Sequence, residues 1–222
     1  MTPILTRVIE QSAAPLASIE TDFAVDSTGF GTSVYRRWFD AKYGREMKES
    51  TWVKAHVACG TITNVVTAVR VTDSSGADCP QLPALLATTA QTFTVSEMSA
   101  DKAYLSNDNL TAIEAVGAVP FIPFKTNSKQ AGSPAWRRMH AMFTLREEEF
   151  LAAYHKRSRV ESVFSAVKRK FGGAVRSKTF TAQRNEILCK ILCHNLSVLV
   201  HAIHELGIDP NFGTTRSATV TG

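Results

Sequence analysis

The residues of this chain best suited to chemistry lie in one basic stretch, residues 154–173, YHKRSRVESVFSAVKRKFGG. There a single acid, Glu161, stands among six Lys or Arg. Tyr154, Arg157, Glu161, Phe164 and Lys168 follow one another at steps of 3, 4, 3 and 4. On one continuous α-helix they share a stripe. Three of the five are charged, so the stripe is not a core face. Val160, Val163 and Val167 supply a separate apolar stripe that can dock on a sheet. Two readings of Glu161 stand side by side. It is the partner of Arg157 in an i,i+4 surface ion pair worth a few tenths of a kcal/mol. Or it is a carboxylate for a metal ion, with the surrounding bases there for a phosphate backbone.

Charge distribution bears on the choice. Residues 154–190 carry ten Lys or Arg against Glu161 and Glu186. That is +8 in a chain of net charge +5, so the remainder sums to −3. A basic segment on a slightly acidic body is the footprint of a polyanion partner, usually nucleic acid. On charge alone, a solvated helix face reads equally well. With 222 residues and 44% hydrophobic content, the chain suits one domain with a full-sized core, or one domain plus a small appendage. No internal repeat or low-complexity segment is present. The start, MTPILTRVIEQSAAPLASIETD, lacks the basic end and apolar run of a secretory signal. The most apolar region, residues 187–208, is interrupted by Lys190, His194, Asn195, His201, His204 and Glu205. It therefore reads as a buried helix rather than a membrane span, and the protein as cytosolic. Cys59, Cys79, Cys189 and Cys193 form no C-x-x-C pair. Cys189 and Cys193 read as small buried thiols on an apolar helix face, and His201 and His204 as non-ligands.

The elements that must position Glu161 can be read along the chain. A short helix with Ile4, Leu5, Val8 and Ile9 ends near Pro15. DFAVDSTGF reads as a strand ending at Asp26 in a glycine-containing turn, and residues 31–50 as a connecting excursion. Two β-rich runs flank a turn around Cys59 and Gly60 and form a hairpin, with Val65, Thr67, Val69 and Val71 at a period of two. A helix near residues 79–91 precedes a weaker strand ending at Asp101. SNDNLTAIEAVGA is a capped helix finished by Gly117. VPFIPFK is a strand that its prolines place at an edge, and residues 125–136 form a loop. A capping box of Thr144 and Glu147 opens one long helix running to Phe171, stopped by Gly172 and Gly173. After a basic loop, a second long helix covers about residues 182–206, and NFGTTRSATVTG is an unstructured tail. Strands first, then alternation, predicts an α/β fold: a mixed sheet covered by helices.

The pattern Y-x2-R-x3-E-x6-K, filled by Tyr154, Arg157, Glu161 and Lys168, resembles the signature of bacterial insertion-sequence DDE transposases. QRNEILCKILCHNL, residues 183–196, is similar to the helix that follows that signature. ADKAYLS, residues 100–106, looks like the segment of the second catalytic aspartate. FAVDSTGF, residues 23–30, resembles the segment of the first, and WVKAHVACG the strand after it. The resemblance covers residues 20 to about 205. It implies a ribonuclease H-like catalytic domain over 20–208, between a short N-terminal helix or remnant (1–19) and a disordered tail (209–222). It also implies an acidic triad of Asp26, Asp101 and Glu161 holding two Mg²⁺ or Mn²⁺ ions. Two such ions activate a water or a DNA 3′-hydroxyl and stabilise the leaving oxygen in phosphodiester cleavage and strand transfer.

By the same resemblance, Arg157 and Lys168 contact DNA near the cut or balance the carboxylates, and Tyr154 packs or stacks there. Arg169, Lys170, Arg176 and Lys178 extend the DNA-binding surface. The partners implied are terminal inverted repeats and target DNA, with a homodimer as the active form, in the bacterial cytoplasm at the nucleoid and without a membrane. Other acids compete for these roles. Asp22 shares a strand face with Asp26 and rivals it, while Asp73, Asp78 and Asp108 read as cap or turn residues. Glu97 precedes Asp101 in a strand of poor alternation. Such transposases have a further N-terminal region for the terminal repeats. The roughly 25 residues before Asp26 are too few for a helix-turn-helix module. Three functions follow: an active or truncated strand-transfer enzyme, a non-catalytic DNA-binding fragment that regulates transposition, and a sequence-independent nuclease of the same fold.

Overall fold

The computed structural model describes residues 1–32, 42–43 and 52–210. Its centre is strand β1 (Asp22–Gly31), flanked by β2 (Trp52–Gly60) and β4 (Glu97–Ala100). The edges of the sheet are β3 (Val66–Asp73) and β5 (Val119–Phe121), giving the order β3-β2-β1-β4-β5. β1 and β2, and β2 and β3, pair antiparallel; β1 and β4, and β4 and β5, pair parallel. Pro120 lies in the edge strand β5, where its missing N–H costs no ladder bond. The hairpin forms, but Cys59 and Gly60, read as its turn, still belong to β2; the turn is at residues 61–65, with a register shift at Ala58/Cys59. β1 does not stop at Asp26. Residues 27–31 stay paired with residues 52–56, so the polar, glycine-containing run continues the strand. Gly29 fits there because a Cβ would come within 3.2 Å of the Trp52 ring.

Helices cover both faces of the sheet. On one face pack α1 (Thr2–Ala13), α6 (Ser158–Phe171) and α7 (Phe180–Leu206). Their Ile9, Val160, Val163, Val167, Ile187 and Ile191 meet Ala24, Phe30, Val53 and Val57. On the other face lie α2 (Leu82–Ala90), α3 (Asn107–Ala115), α4 (Pro134–Leu145) and α5 (Glu147–Tyr154). Leu82, Leu85, Leu110, Ile113 and Phe150 close over Phe23, Val25 and Met98. This mixed sheet with two helical layers is the α/β, ribonuclease H-like architecture expected.

The single helix read from Thr144 to Phe171 is three pieces. Arg146, at φ −134° and ψ 52°, separates α4 from α5. Thr144 Oγ1 donates back to the His140 carbonyl at 2.8 Å, so the capping box with Glu147 does not form. A 3-10 turn, His155–Arg157, then separates α5 from α6. The break has a packing cause. Phe150 anchors α5 in the core on one face of the sheet, and Val160 anchors α6 in the core on the other. A straight helix cannot reach both. Residues 134–136, read as loop, already belong to α4, capped by Ser133, whose hydroxyl accepts the Trp136 N–H.

α7 is long and apolar enough, by length and composition, to cross a membrane. Its apolar side is instead spent on α1, α6 and the sheet, burying Ile187, Leu188, Ile191 and Leu199. The fully buried Asn195 ties these layers together. Its amide nitrogen donates to the Val66 carbonyl at 2.7 Å and to Ser12 Oγ at 3.1 Å, and its oxygen accepts the Val66 N–H at 2.9 Å. Cys189 and Cys193 are exposed, contrary to the buried thiols expected, because the buried stripe of α7 runs through Ile187, Ile191 and Asn195 instead. His201 is exposed as well and faces Glu205 at 3.1 Å. The excursion at 31–50, apart from residues 31, 32, 42 and 43, and the tail from residue 211 lie outside the described residues.

Candidate active site

β1 and β4 run parallel, and their last pair is Val25 with Ala100. Asp26 and Asp101 each follow directly, so two carboxylates from sequence-distant segments emerge at the same level. Each is oriented by its own backbone: Asp26 Oδ1 accepts the Ser27 N–H at 2.8 Å, and Asp101 Oδ1 accepts the Lys102 N–H at 2.6 Å. Asp101 caps the 3-10 turn Lys102–Tyr104 in this way.

Arg157 links the helix acid to Asp26. Its Nη1 donates to Asp26 Oδ2 at 2.5 Å and its Nη2 to Glu161 Oε1 at 2.9 Å. Arg157 and Asp26 are largely buried, whereas Glu161 is 60% exposed. Burial pushes the Asp26 carboxyl above the usual aspartate range. The Ser27 N–H and Arg157 oppose that rise, and the charges of Asp101 and Glu161 add to it. Asp26 therefore feels the charge of both other acids. Burial works against the Arg157 charge, but Tyr154, Asp26 and Glu161 outweigh it and raise its pKa.

Because of the break at residues 155–157, Tyr154 is not on the same helix as Glu161, which corrects the continuous stripe read from the spacing. The Tyr154 ring still lies 5.7 Å from the Arg157 guanidinium. Lys168, two turns beyond Glu161, donates to Thr28 Oγ1 at 2.6 Å and sits 5.5 Å from the Phe30 ring centre. Burial lowers its pKa. One row of β1 (Asp26, Thr28, Phe30) thus meets one row of α6 and the turn before it (Arg157, Lys168). Arg169, Lys170, Arg176 and Lys178 are exposed. The loop bearing the last two is pinned by α7. Glu186 accepts the N–H groups of Arg176 and Ser177, and Lys190 Nζ donates to the Gly172 and Ala174 carbonyls. Lys190, counted with the basic surface, is therefore an internal strut.

Asp22, the rival of Asp26, is engaged elsewhere. It faces Glu97 directly across β1 and β4, and Lys156 Nζ bridges both, at 2.7 and 2.6 Å. Sequence reasoning missed this clamp. Its signal was the matched spacing Asp22-x3-Asp26 and Glu97-x3-Asp101, which parallel strands in register bring side by side. Also missed was the other side of β1, where His56 stands opposite Ser27. The fully buried ring has Nδ1 3.2 Å from Asp78 and Nε2 3.0 Å from Thr72 Oγ1. Asp78, read as a turn residue, also pairs with Lys54 at 2.8 Å.

Among the described residues, no three of the His, Cys, Asp and Glu side chains converge closely enough, as placed, to hold a metal ion. The donor set at Asp26, Asp101 and Glu161 is nonetheless all carboxylate oxygen, which suits a hard divalent cation and no soft one. A positive charge, Arg157, already lies between two of the three. Chemically, the arrangement offers acids on a rigid sheet and helix, beside a cationic surface able to hold a phosphate backbone. A comparison with curated proteins returns no match. A family model described as the transposase DDE domain matches residues 18–196, which is most of the chain. The chain therefore belongs to the transposase DDE-domain family.

Proposed function

We propose that the protein is a DDE transposase that cleaves DNA strands and transfers their ends, with Asp26, Asp101 and Glu161 as its acidic triad. The observation carrying this reading is the meeting of Asp26 and Asp101 at adjacent parallel strand ends, with Glu161 linked to Asp26 through Arg157. The three carboxylates would hold divalent metal, Mg²⁺ or Mn²⁺, which supplies charge stabilisation for the attacking and leaving oxygens of a phosphodiester. Tyr154, Arg157 and Lys168 would contact the backbone next to the cut. Arg169, Lys170, Arg176 and Lys178 would follow it outward. The substrates are terminal inverted repeats and target DNA, joined by a homodimer in the bacterial cytoplasm. The catalytic domain is taken as 20–208, with 1–19 and 209–222 as flanking segments.

The test is nicking of supercoiled plasmid with Mg²⁺ or Mn²⁺, run beside Asp101→Asn. Metal-dependent nicking lost in the variant is the expected result. Nicking that survives in Asp101→Asn would contradict the triad. DNA binding without nicking by either protein would favour the regulatory fragment instead.

A further inference from the structure

We propose that Arg157 is a built-in stand-in cation, which closes the acidic site in the absence of DNA and opens it by moving its guanidinium onto a DNA phosphate. This rests on the reading of Asp26, Asp101 and Glu161 as the metal-holding acids. Both oxygens of Asp26 are occupied: Oδ1 by the Ser27 N–H and Oδ2 by Arg157. The second guanidinium nitrogen holds Oε1 of Glu161. A divalent ion therefore has to take these oxygens in competition with an arginine that is only 18% exposed and braced by the Tyr154 ring.

The competing positive charge has its own use. Three carboxylates in one partly buried site repel each other, and Asp26 feels both of the others. One guanidinium bridging two of them lowers that cost while no metal is present. A guanidinium also pairs with phosphate in the same forked geometry it uses for carboxylate. A DNA backbone laid along Lys168, Arg169 and Lys170 thus offers Arg157 an equivalent partner close by. The position of Arg157 favours such a transfer. It ends the 3-10 turn between α5 and α6, where the chain has no regular helix to unwind. The consequence is thermodynamic: DNA and divalent metal bind with positive coupling, and by linkage each raises the affinity of the other equally.

The test uses the full chain and Mn²⁺ as the probe, with free Mn²⁺ followed by electron paramagnetic resonance. Titrations are run with and without a saturating short DNA duplex, and the duplex alone is the blank. In the absence of DNA, Arg157→Gln is expected to bind Mn²⁺ at least about fivefold tighter than the parent protein, the lower end of ordinary coupling strengths. With the duplex present the two should converge. Arg157→Lys, which keeps the charge but cannot fork between two carboxylates, should fall between them. Thermal melts of both variants verify folding. Equal or weaker Mn²⁺ binding by Arg157→Gln in the absence of DNA would overturn the proposal, showing that Arg157 orders the acids rather than masks them. Asp26→Asn separates the two levels of failure. If it leaves Mn²⁺ binding intact, the metal is not at these acids, and the triad reading fails along with the proposal.

Discussion

Two neighbouring residues of β1 sit in opposite electrostatic settings. Asp26 points at Arg157 and feels the charges of Asp101 and Glu161, while the adjacent Ser27 lies opposite His56 on the face away from α6. Burial, ahead of the partly compensating Asp78 and the repulsion of Lys54 and Arg70, lowers the His56 pKa from 6.5 to about 4. The ring is therefore neutral in the fold near neutral pH. Between those two values the unfolded chain binds the extra proton. Stability is thus intact above pH 6.5, falls as pH drops through that window, and flattens below about 4. The loss attributable to this group is on the order of 3 kcal/mol. Urea unfolding near pH 7 and near pH 5 should show a smaller acid-side loss for His56→Gln than for the parent. Equal losses would mean that His56 does not titrate in this way. No periodicity announces such a residue. His56 reads as a polar position in a β-rich run, and only the hairpin register places it behind the acids.

At the scale of elements, what could be read from sequence was whatever depends on local pattern. The Ser106 cap of α3 and the valine stripe of α6 appear in the structure as read. The period of two over residues 65–71 does not: Val66 and Ala68 are buried as well, and the register shift at Ala58/Cys59 breaks the alternation. The boundaries that failed depend on distant partners. β1 continues through a polar run because β2 pairs with it, and the long helix breaks because Phe150 and Val160 are claimed by opposite faces of the sheet. At the site, Tyr154, Arg157, Glu161 and Lys168 were visible as spacing, whereas Asp26 and Asp101 were singled out only by the resemblance to the transposases. The clamp of Lys156 on Asp22 and Glu97 was not visible, since it requires the parallel register. Asn195 shows how strongly one polar side chain can bind elements together. Asn195→Leu would leave the Val66 backbone groups buried and unpaired, a loss of about 2–6 kcal/mol for two such groups. Chemical denaturation would measure it, and a loss below about 0.5 kcal/mol would show that water replaces the amide. On α6, Arg169 and Lys170 are exposed in the last turn. Replacing both with Gln should lower the salt slope of DNA binding by nearly one for each phosphate that is no longer neutralised. An unchanged slope would move the binding surface elsewhere.

Taken whole, the molecule divides its labour between the two faces of the sheet. α2 to α5 and the hairpin hold β1 and β4 in register, which sets Asp26 beside Asp101. α6 lies across the opposite face and delivers Glu161 with its basic row, and α7 braces both α6 and the basic loop. A rigid frame of this kind suits chemistry that depends on positioning acids and charge rather than on covalent intermediates. The most direct test is Glu161→Gln, with cleaved and bound DNA measured side by side on the same duplex. Glu161 is exposed and packs into no core, so the variant keeps the fold, and it removes one negative charge from the basic side of α6. With Glu161 as a member of the triad, cleavage is expected to be abolished while DNA affinity is retained or raised. Undiminished cleavage, or clearly weaker DNA binding by this variant, would contradict that assignment.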